Sequence, residues 1–303
     1  MATRDIEYFS DGVRMAGWIS IPEGVKPTER RPAVLLCSGL FGLKDWVPPR
    51  FSPSFIDDGF VTMSFDYRGF GASDGVRGVI DPEMEIRDIR NSVTYLLQQP
   101  EVDPERVGVL GWGLGGGIAI SAAARDDRIR AVVTANGPGD VGRVTRNDVA
   151  YVAWLDAQKM LEADRVQRVL TGKSKMIHWE GLTHPGGGFW RDEQPEKSVF
   201  NRALQGLGEE VTPEFSLASA EALYSFRPEE EVQKISPRPL LVVHGTDDPY
   251  MSVDEAKSVF ALADEPKTMY LIKGEGHLEL IEPGNPNYLP TVKKIVDWFK
   301  NAM

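Results

Sequence analysis

The chain has 303 residues, of which 42% are hydrophobic and 26% charged, and this composition is typical of a soluble globular protein with a sizeable core. Its formal net charge is −11 and no basic cluster offsets the acidic excess, so nucleic acid is not expected as a partner. Apolar runs stay well short of the roughly 18 residues that a membrane span needs, and Met1–Ser10 carries too many charges for a secretory signal. Cys37 is the one cysteine and permits no internal disulfide, so we expect a cytoplasmic protein without a membrane partner.

Short apolar segments in the first half of the chain predict β-strands. A leading antiparallel pair is predicted on either side of Asp11-Gly12, because this dipeptide suits a tight hairpin turn. The segments that follow are almost continuously apolar, which is typical of parallel strands covered on both faces. In chain order the predicted strands are Asp5–Ser10, Arg14–Ile21, Ala33–Cys37, Val61–Phe65, Val107–Leu110 and Ala131–Thr134.

Helical patterns alternate with these strands. Asp81-Pro82 supplies an N-cap and a first-turn proline, and apolar residues then recur on one helix face as far as Gln99. A second helix is predicted directly after Gly113, where alanines and glycines allow close approach to the sheet. The alternation predicts a mostly parallel α/β sheet with helices on both faces.

The alternation stops at Pro138, and roughly 100 residues pass before another strand is predicted. Because this insertion is too long for a loop, we interpret it as a helical lid over the carboxyl ends of the strands. The chain is therefore divided into a first core part (1–137), a lid (138–236) and a second core part (237–303). The predicted elements after Pro138 are a helix over about Asp148–Leu170, a Gly- and aromatic-rich stretch at Trp179–Trp190, a helix over Ser216–Tyr224, strands over Leu240–His244 and Thr268–Ile272, and a final helix that includes Val292–Phe299.

A glycine-rich turn, Gly111-Trp112-Gly113-Leu114-Gly115-Gly116, joins a predicted strand to a predicted helix. This context is typical of a nucleophile elbow, whose third residue normally carries the attacking hydroxyl, but here the third residue is Gly113. Close helix packing or a phosphate-binding loop would also use such glycines. The G-x-G-x-G-G spacing does not match the G-x-G-x-x-G dinucleotide fingerprint, however, and the turn comes too late in the chain for a first βα unit.

Two later loops carry the remaining candidate groups. Gly245-Thr246-Asp247-Asp248-Pro249 follows a late strand, and Gly274-Glu275-Gly276-His277 follows the last one. With the glycine turn, these loops resemble the α/β-hydrolase superfamily in chain order, the nucleophile position preceding the acid and the histidine. The resemblance implies Asp248 as the catalytic acid, in preference to Asp247, and His277 as the catalytic histidine. The residues alone would also allow a turn or N-cap role for Asp248 and a structural role for His277.

Two more segments extend the resemblance. Ser38–Gly42 is similar to the oxyanion loop of the family, which implies that the backbone amide of Leu40 or Phe41 acts with that of Leu114 in an oxyanion hole. Asp66–Gly75 is similar to a structural loop of the dienelactone-hydrolase-like and X-prolyl-peptidase-like members. The resemblance implies an α/β-hydrolase fold over nearly the whole chain except the lid, and it implies no cofactor.

Trp112, Trp190 and His184 are candidate substrate-binding residues. Trp112 adjoins the glycine turn, whereas the other two lie in the predicted lid, where aromatic residues also serve simply as packing. His178, His184 and His244 lack the spacing of metal ligands, so no metal site is predicted.

Gly113 has no side chain that could attack a substrate, and loss of the nucleophile costs such triads roughly a factor of 10⁶ in rate. Three hypotheses follow. In the first, the chain is an esterase-like hydrolase of ester, lactone or similar acyl substrates, and Gly113 inactivates it. In the second, it is a natural non-covalent enzyme, a lyase, cyclase, dehydratase or water-activating hydrolase, in which His277 and Asp248 act as general base. In the third, it is a non-catalytic ligand-binding protein. Each predicts a small-molecule partner, and a homodimer stays open.

Overall fold

An eight-stranded sheet forms the centre of the computed structural model, which describes residues 1–26, 29–147, 149–178 and 214–303. In chain order its strands are β1 (Ala2–Ser10), β2 (Val13–Ile21), β3 (Arg31–Cys37), β4 (Val61–Phe65), β5 (Val102–Trp112), β6 (Ala131–Ala135), β9 (Leu240–Gly245) and β10 (Lys267–Ile272). The two strands between β6 and β9, β7 (Met176–His178) and β8 (Glu214–Ser216), form a separate antiparallel pair.

The strands pair in the order β1-β2-β4-β3-β5-β6-β9-β10. β2 is antiparallel to both of its neighbours, and every pair from β4 to β10 is parallel. The predicted leading hairpin and mostly parallel sheet are therefore confirmed. β5 is longer than predicted because it begins at Val102, ahead of polar residues that hide the strand pattern, and it runs up to Trp112, immediately before Gly113.

Helices surround the sheet, and three of those in the described ranges were not predicted: Ser52–Asp57, Val141–Asn147 and Val253–Leu262. Among the described residues, every helix is too short or too polar to cross a membrane. In chain order the helices are α1 (Ser52–Asp57), α2 (Pro82–Leu96), α3 (Leu114–Ala124), α4 (Val141–Asn147), α5 (Tyr151–Thr171), α6 (Leu217–Tyr224), α7 (Val253–Leu262) and α8 (Tyr288–Ala302), with short 3-10 turns at Pro48–Arg50, Pro228–Glu230, Val232–Ile235 and Glu279–Ile281.

Two predicted helix boundaries differ from the structure. α2 has the predicted Asp81 cap, whose carboxylate accepts hydrogen bonds from two first-turn amides, but it ends at Leu96 because the chain to Gln99 closes in three-residue turns. α5 begins at Tyr151 because Ala150 is extended, with φ −59° and ψ 140°. The earlier predicted start, Asp148, lies outside the described residues.

Two glycines of β5 show how the sheet accepts helices on both of its faces. Residues three apart on a strand point to opposite faces. A β-carbon on Gly108 would collide with the ring of Phe299 in α8, at 2.5 Å from Cε1, and one on Gly111 would collide with the carbonyl of Gly115 in α3. Both helices therefore approach β5 too closely for a side chain, as the sequence predicted for α3.

A partly buried ion-pair cluster fixes the chain where it leaves the core for the 138–236 segment. The Arg143 guanidinium, in α4, donates two hydrogen bonds to each of the carboxylates of Glu229 and Glu255, all of them 2.7–2.8 Å long. Glu255 also accepts hydrogen bonds from the backbone amides of Gly139 and Asp140. The segment is thus anchored at its first helix. Closure of a lid over the strand ends stays a prediction, and the aromatic-rich stretch at 179–190 lies outside the described residues.

Candidate active site

The glycine turn has the sharp geometry that the sequence predicts. Gly113 lies between β5 and α3 with φ +56° and ψ −130°, a conformation that residues with a side chain adopt only under strain. Its amide donates to the carbonyl of Ala135 at 2.9 Å, and its carbonyl accepts from the amide of Gly116 at 2.8 Å. Residue 113 is therefore held at the point of the turn by bonds to β6 and to the first turn of α3.

The acid and histidine loops meet beside this turn. His277 Nδ1 lies 2.6 Å from Asp248 Oδ2, and both side chains are buried. The other carboxylate oxygen, Oδ1, accepts hydrogen bonds from the amides of Tyr250 at 2.8 Å and Met251 at 2.9 Å. Asp247 is exposed and bonds only with its neighbour Thr246 among the described side chains. The structure therefore pairs His277 with Asp248 and not with Asp247.

The far side of the imidazole faces Gly113. A β-carbon placed on Gly113 would lie 3.1 Å from His277 Nε2 and 3.9 Å from the α-carbon of Gly39. The imidazole therefore lies between Asp248, on its Nδ1 side, and residue 113, on its Nε2 side. Nε2 is directed at the position that the β-carbon of a nucleophilic residue would occupy. This is the arrangement in which an imidazole takes the proton of an attacking group.

Two aromatic rings enclose the imidazole. Trp112 and Tyr250 meet it edge to face, with ring centroids at 5.9 and 5.5 Å. Trp112 is only 1% exposed and also packs against Phe51, with ring centroids 5.6 Å apart. In this structure Trp112 supports the histidine ring, and its predicted contact with a substrate stays a prediction.

The loop after β3 lies against the glycine turn. A β-carbon on Gly39 would lie 3.1 Å from the carbonyl oxygen of Trp112 and 3.9 Å from the amide nitrogen of Leu114. Leu114 is the first residue of α3, so its amide has no acceptor within the helix. Within the described ranges, the amides of Leu40 and Leu114 donate no hydrogen bond to a protein acceptor. The Phe41 ring is buried against Trp46 and Phe215.

His244 lies beside the pair, although its sequence context predicted only that it ends a strand. Its Nε2 is 2.8 Å from the carbonyl oxygen of Met251 and 3.7 Å from Asp248 Oδ2. Burial lowers the pKa of His244, and the nearby carboxylate of Asp248 only partly opposes this effect. The neutral ring braces the turn that presents Asp248.

A pH dependence of stability follows from His244. Because its pKa in the folded state is below the unfolded value of about 6.5, the unfolded chain binds the extra proton first as the pH falls. We therefore expect the free energy of unfolding to decline as the pH falls below about 6.5. In His244→Gln, which keeps a donor for Met251 but does not titrate, urea titrations should show a shallower decline. Equal declines in both proteins would contradict this role.

Sequence reasoning missed Asn136, which lies at the end of β6 and is fully buried. Its side chain bonds to both the acid turn and the histidine loop. An asparagine directly after an apolar strand and before a glycine was a signal, since asparagine tolerates positive φ, but its partners are more than 100 positions away.

Two predicted site residues fall in the part of the chain that the structure does not describe. Trp190 and His184, the predicted lid contacts, lie outside the described residues. Among the residues that are described, no group of three or more His, Cys, Asp or Glu side chains is arranged to hold a metal ion.

Comparison with known families places most of the chain in one group. Residues 32–283 match a family model described as the alpha/beta hydrolase fold. The matched region contains the glycine turn and both of the loops that meet at it.

Similar proteins come from bacteria and fungi. An uncharacterized 31.7 kDa Escherichia coli protein of the traX-finO intergenic region is 29% identical over 97% of both chains. Polyketide transferase ATR5 of Stachybotrys chlorohalonatus is 27% identical over 93% of this chain and 92% of its own. The crystal structure of the alpha/beta hydrolase GrgF from Penicillium sp. sh18 superposes with a TM-score of 0.81 at 24% identity, covering 100% and 99% of the two chains.

Proposed function

The chain belongs to the α/β-hydrolase family, and on this premise we propose that it transfers the acyl group of an ester, lactone or similar small molecule to water or a hydroxyl group without forming an acyl-enzyme. One observation carries the proposal. The His277–Asp248 pair is complete, with 2.6 Å between Nδ1 and Oδ2, and its free face is directed at a backbone that carries no nucleophile. The relative named a polyketide transferase supports group transfer on this scaffold.

The proposed reaction begins with a proton transfer to His277. An oxygen nucleophile from water or a substrate hydroxyl, lying beside Gly113, attacks the acyl carbon as its proton passes to Nε2. Asp248 accepts the Nδ1 proton in a hydrogen bond and stabilises the imidazolium that forms. The tetrahedral intermediate then collapses, and His277 returns the proton to the departing alcohol. Every atom needed comes from the substrate, the nucleophile and this pair.

The oxyanion formed in this step needs hydrogen-bond donors. The amides of Leu40 and Leu114 are suited to the role because each lacks a protein acceptor among the described residues and because Gly39 brings the two loops together. Backbone donors that are fixed before the reaction stabilise developing charge without reorganising. Phe41, the alternative donor from the same loop, is supported only by its position in sequence.

A second candidate is a serine-type acyl hydrolase that glycine at position 113 inactivates. The observation that favours it is the direction of a β-carbon on Gly113, which would point at His277 Nε2 from 3.1 Å. A side chain at position 113 would therefore be directed at the imidazole, as a nucleophilic serine requires.

Removal of the imidazole tests the proposed function in the unaltered active site. His277→Ala should lower turnover of p-nitrophenyl and lactone substrates by about 10²- to 10⁴-fold, because general-base catalysis contributes about that much. His178→Ala, a change outside the pair, is the matched control and should leave the rate unchanged. Equal rates for the wild type and His277→Ala would exclude the proposal. Substrate binding without any turnover by the wild type would indicate a ligand-binding protein, and turnover confined to elimination or cyclisation would indicate proton abstraction from carbon by the same pair.

A further inference from the structure

The junction of Ala135 and Asn136, where β6 ends, touches all three parts of the candidate site. The carbonyl of Ala135 accepts the hydrogen bond from the Gly113 amide at 2.9 Å. The backbone amide of Asn136 donates to the carbonyl of Val243, in the strand that leads to the acid turn, also at 2.9 Å. Position 113 and the strand that leads to Asp248 are therefore both hydrogen-bonded to the end of β6, through adjacent residues.

The side chain of Asn136 connects the remaining two segments. Its Oδ1 accepts a hydrogen bond from the amide of Gly245 at 2.9 Å, three residues before Asp248. Its Nδ2 donates to the carbonyl of His277 itself at 3.1 Å and more weakly to that of Gly276 at 3.4 Å. The Asn136 side chain is fully buried, so a carboxamide atom left without a hydrogen bond would destabilise the fold. One carboxamide thus spans the loop of the acid and the loop of the histidine.

The site requires two properties of residue 136 together. Its backbone has φ +49°, a conformation that asparagine and glycine tolerate and most other residues do not. Its side chain must also present an acceptor toward Gly245 and a donor toward His277. Glycine meets the first requirement alone, and aspartate would place a carboxylate oxygen against a carbonyl. Asparagine meets both.

We propose that Asn136 is a positioning residue that fixes the distance between the acid turn and the histidine loop and thereby keeps His277 Nε2 directed at position 113. It does not touch the reacting atoms and acts through His277. The loops also share backbone bonds that do not involve Asn136, such as that from the Asp247 amide to the Glu275 carbonyl at 3.0 Å. Loss of the side chain should therefore loosen the pair without unfolding the loops. The catalytic part of this inference rests on the proposed function, but the positioning part does not.

Two variants and one control test the inference. Asn136→Gly keeps the backbone conformation and removes the carboxamide, and Asn136→Asp keeps its shape but removes the donor. Ser92→Ala is the matched control, because Ser92 is equally buried and hydrogen-bonded but lies on α2 and contacts Tyr8. The first readout is the downfield proton resonance of the hydrogen bond between His277 Nδ1 and Asp248, recorded by NMR on the full chain. The second is the pH–rate profile of ester hydrolysis, recorded both with Gly113 in place and in the Gly113→Ser background.

Both Asn136 variants should broaden or lose this resonance and lower kcat about 10²-fold with little change in KM, the effect of misplacing a catalytic group by about 1 Å. Ser92→Ala should leave both the resonance and kcat unchanged. An unchanged resonance and an unchanged rate in the folded variants would overturn the inference. A shifted resonance in the Asn136 variants, together with no turnover by the unaltered Gly113 chain, would uphold the positioning role and refute the proposed function instead.

A measurement on the wild type covers the case in which neither variant folds. In urea concentrations below the unfolding transition, two quantities are measured: the opening free energy from hydrogen exchange of the Gly245 amide, and that from loss of the imidazole resonance. The two opening free energies should be equal at each urea concentration, because both groups are exposed in one local opening. Separate opening free energies would overturn the inference.

Discussion

Gly113→Ser is expected to raise the hydrolysis of p-nitrophenyl esters by about 10³- to 10⁶-fold over the unaltered chain. The upper figure is the loss usually caused by removing the nucleophile of such a triad. The remaining parts are in place: Nε2 of His277 lies 3.1 Å from the β-carbon position, and Asp248 holds Nδ1 at 2.6 Å. At 3.1 Å this β-carbon is slightly closer to Nε2 than an ordinary van der Waals contact, so the imidazole would shift by a few tenths of an ångström. A serine hydroxyl there would lie within hydrogen-bonding reach of Nε2 and form the acyl-enzyme.

The substitution should cost stability even as it adds activity. At φ +56° a side chain stores strain, which costs about 1–3 kcal/mol, and glycine avoids this cost. Urea titrations should show Gly113→Ala and Gly113→Ser destabilised alike. Only the serine variant should gain activity, and Gly113→Ser combined with His277→Ala should lose most of the gain. Equal activity of the alanine and serine variants would contradict the assigned geometry.

Asp248→Asn is expected to lower kcat of the Gly113→Ser enzyme by about 10⁴-fold while leaving its fold intact. The carboxylate accepts from Nδ1 of His277, so an asparagine amide there would donate instead and hold the imidazole in the tautomer that cannot take a proton at Nε2. The backbone amides of Tyr250 and Met251 bond to Oδ1 and would still meet an acceptor, the asparagine carbonyl.

The neighbouring aspartate provides the matched control for this prediction. Asp247→Asn removes the same charge one residue earlier, but Asp247 is exposed and does not contact His277. Steady-state kinetics should show it close to the Gly113→Ser parent. Similar losses for both substitutions would mean that charge near the loop matters and that the pairing of Asp248 with His277 does not.

Local sequence patterns were sufficient to predict the mostly parallel α/β sheet, whereas the candidate triad positions were implied by the resemblance to the α/β-hydrolase superfamily. Buried parallel strands leave nearly uninterrupted apolar runs, and Val61–Phe65 was predicted with the bounds that the structure has. The glycine turn has a sequence signal because side chains at Gly111 and Gly115 would collide with the backbone carbonyls of Gly115 and Ser38. The loops that carry Asp248 and His277 follow strands, where parallel topology brings carboxyl ends to one edge of the sheet.

The supporting residues could not be predicted, because their roles depend on contacts between distant parts of the chain. Asn136 meets Gly245 and His277, 109 and 141 positions away. Arg143 meets Glu255 across 112 positions, and nothing in the surrounding sequence marks that pair. His244 ends a strand by its pattern, and only the folded turn places it against Met251. Polar partners of this kind leave no periodic signal.

Covalent labelling of Gly113→Ser with a fluorophosphonate, read by mass spectrometry of the digested chain, tests the central claim most directly. That claim is that the fold directs His277, braced by Asp248, at position 113. The account predicts one adduct at position 113, absent from the unaltered chain and reduced strongly by His277→Ala or Asp248→Asn. A folded Gly113→Ser protein that forms no adduct there, or one whose labelling is indifferent to His277, would contradict it.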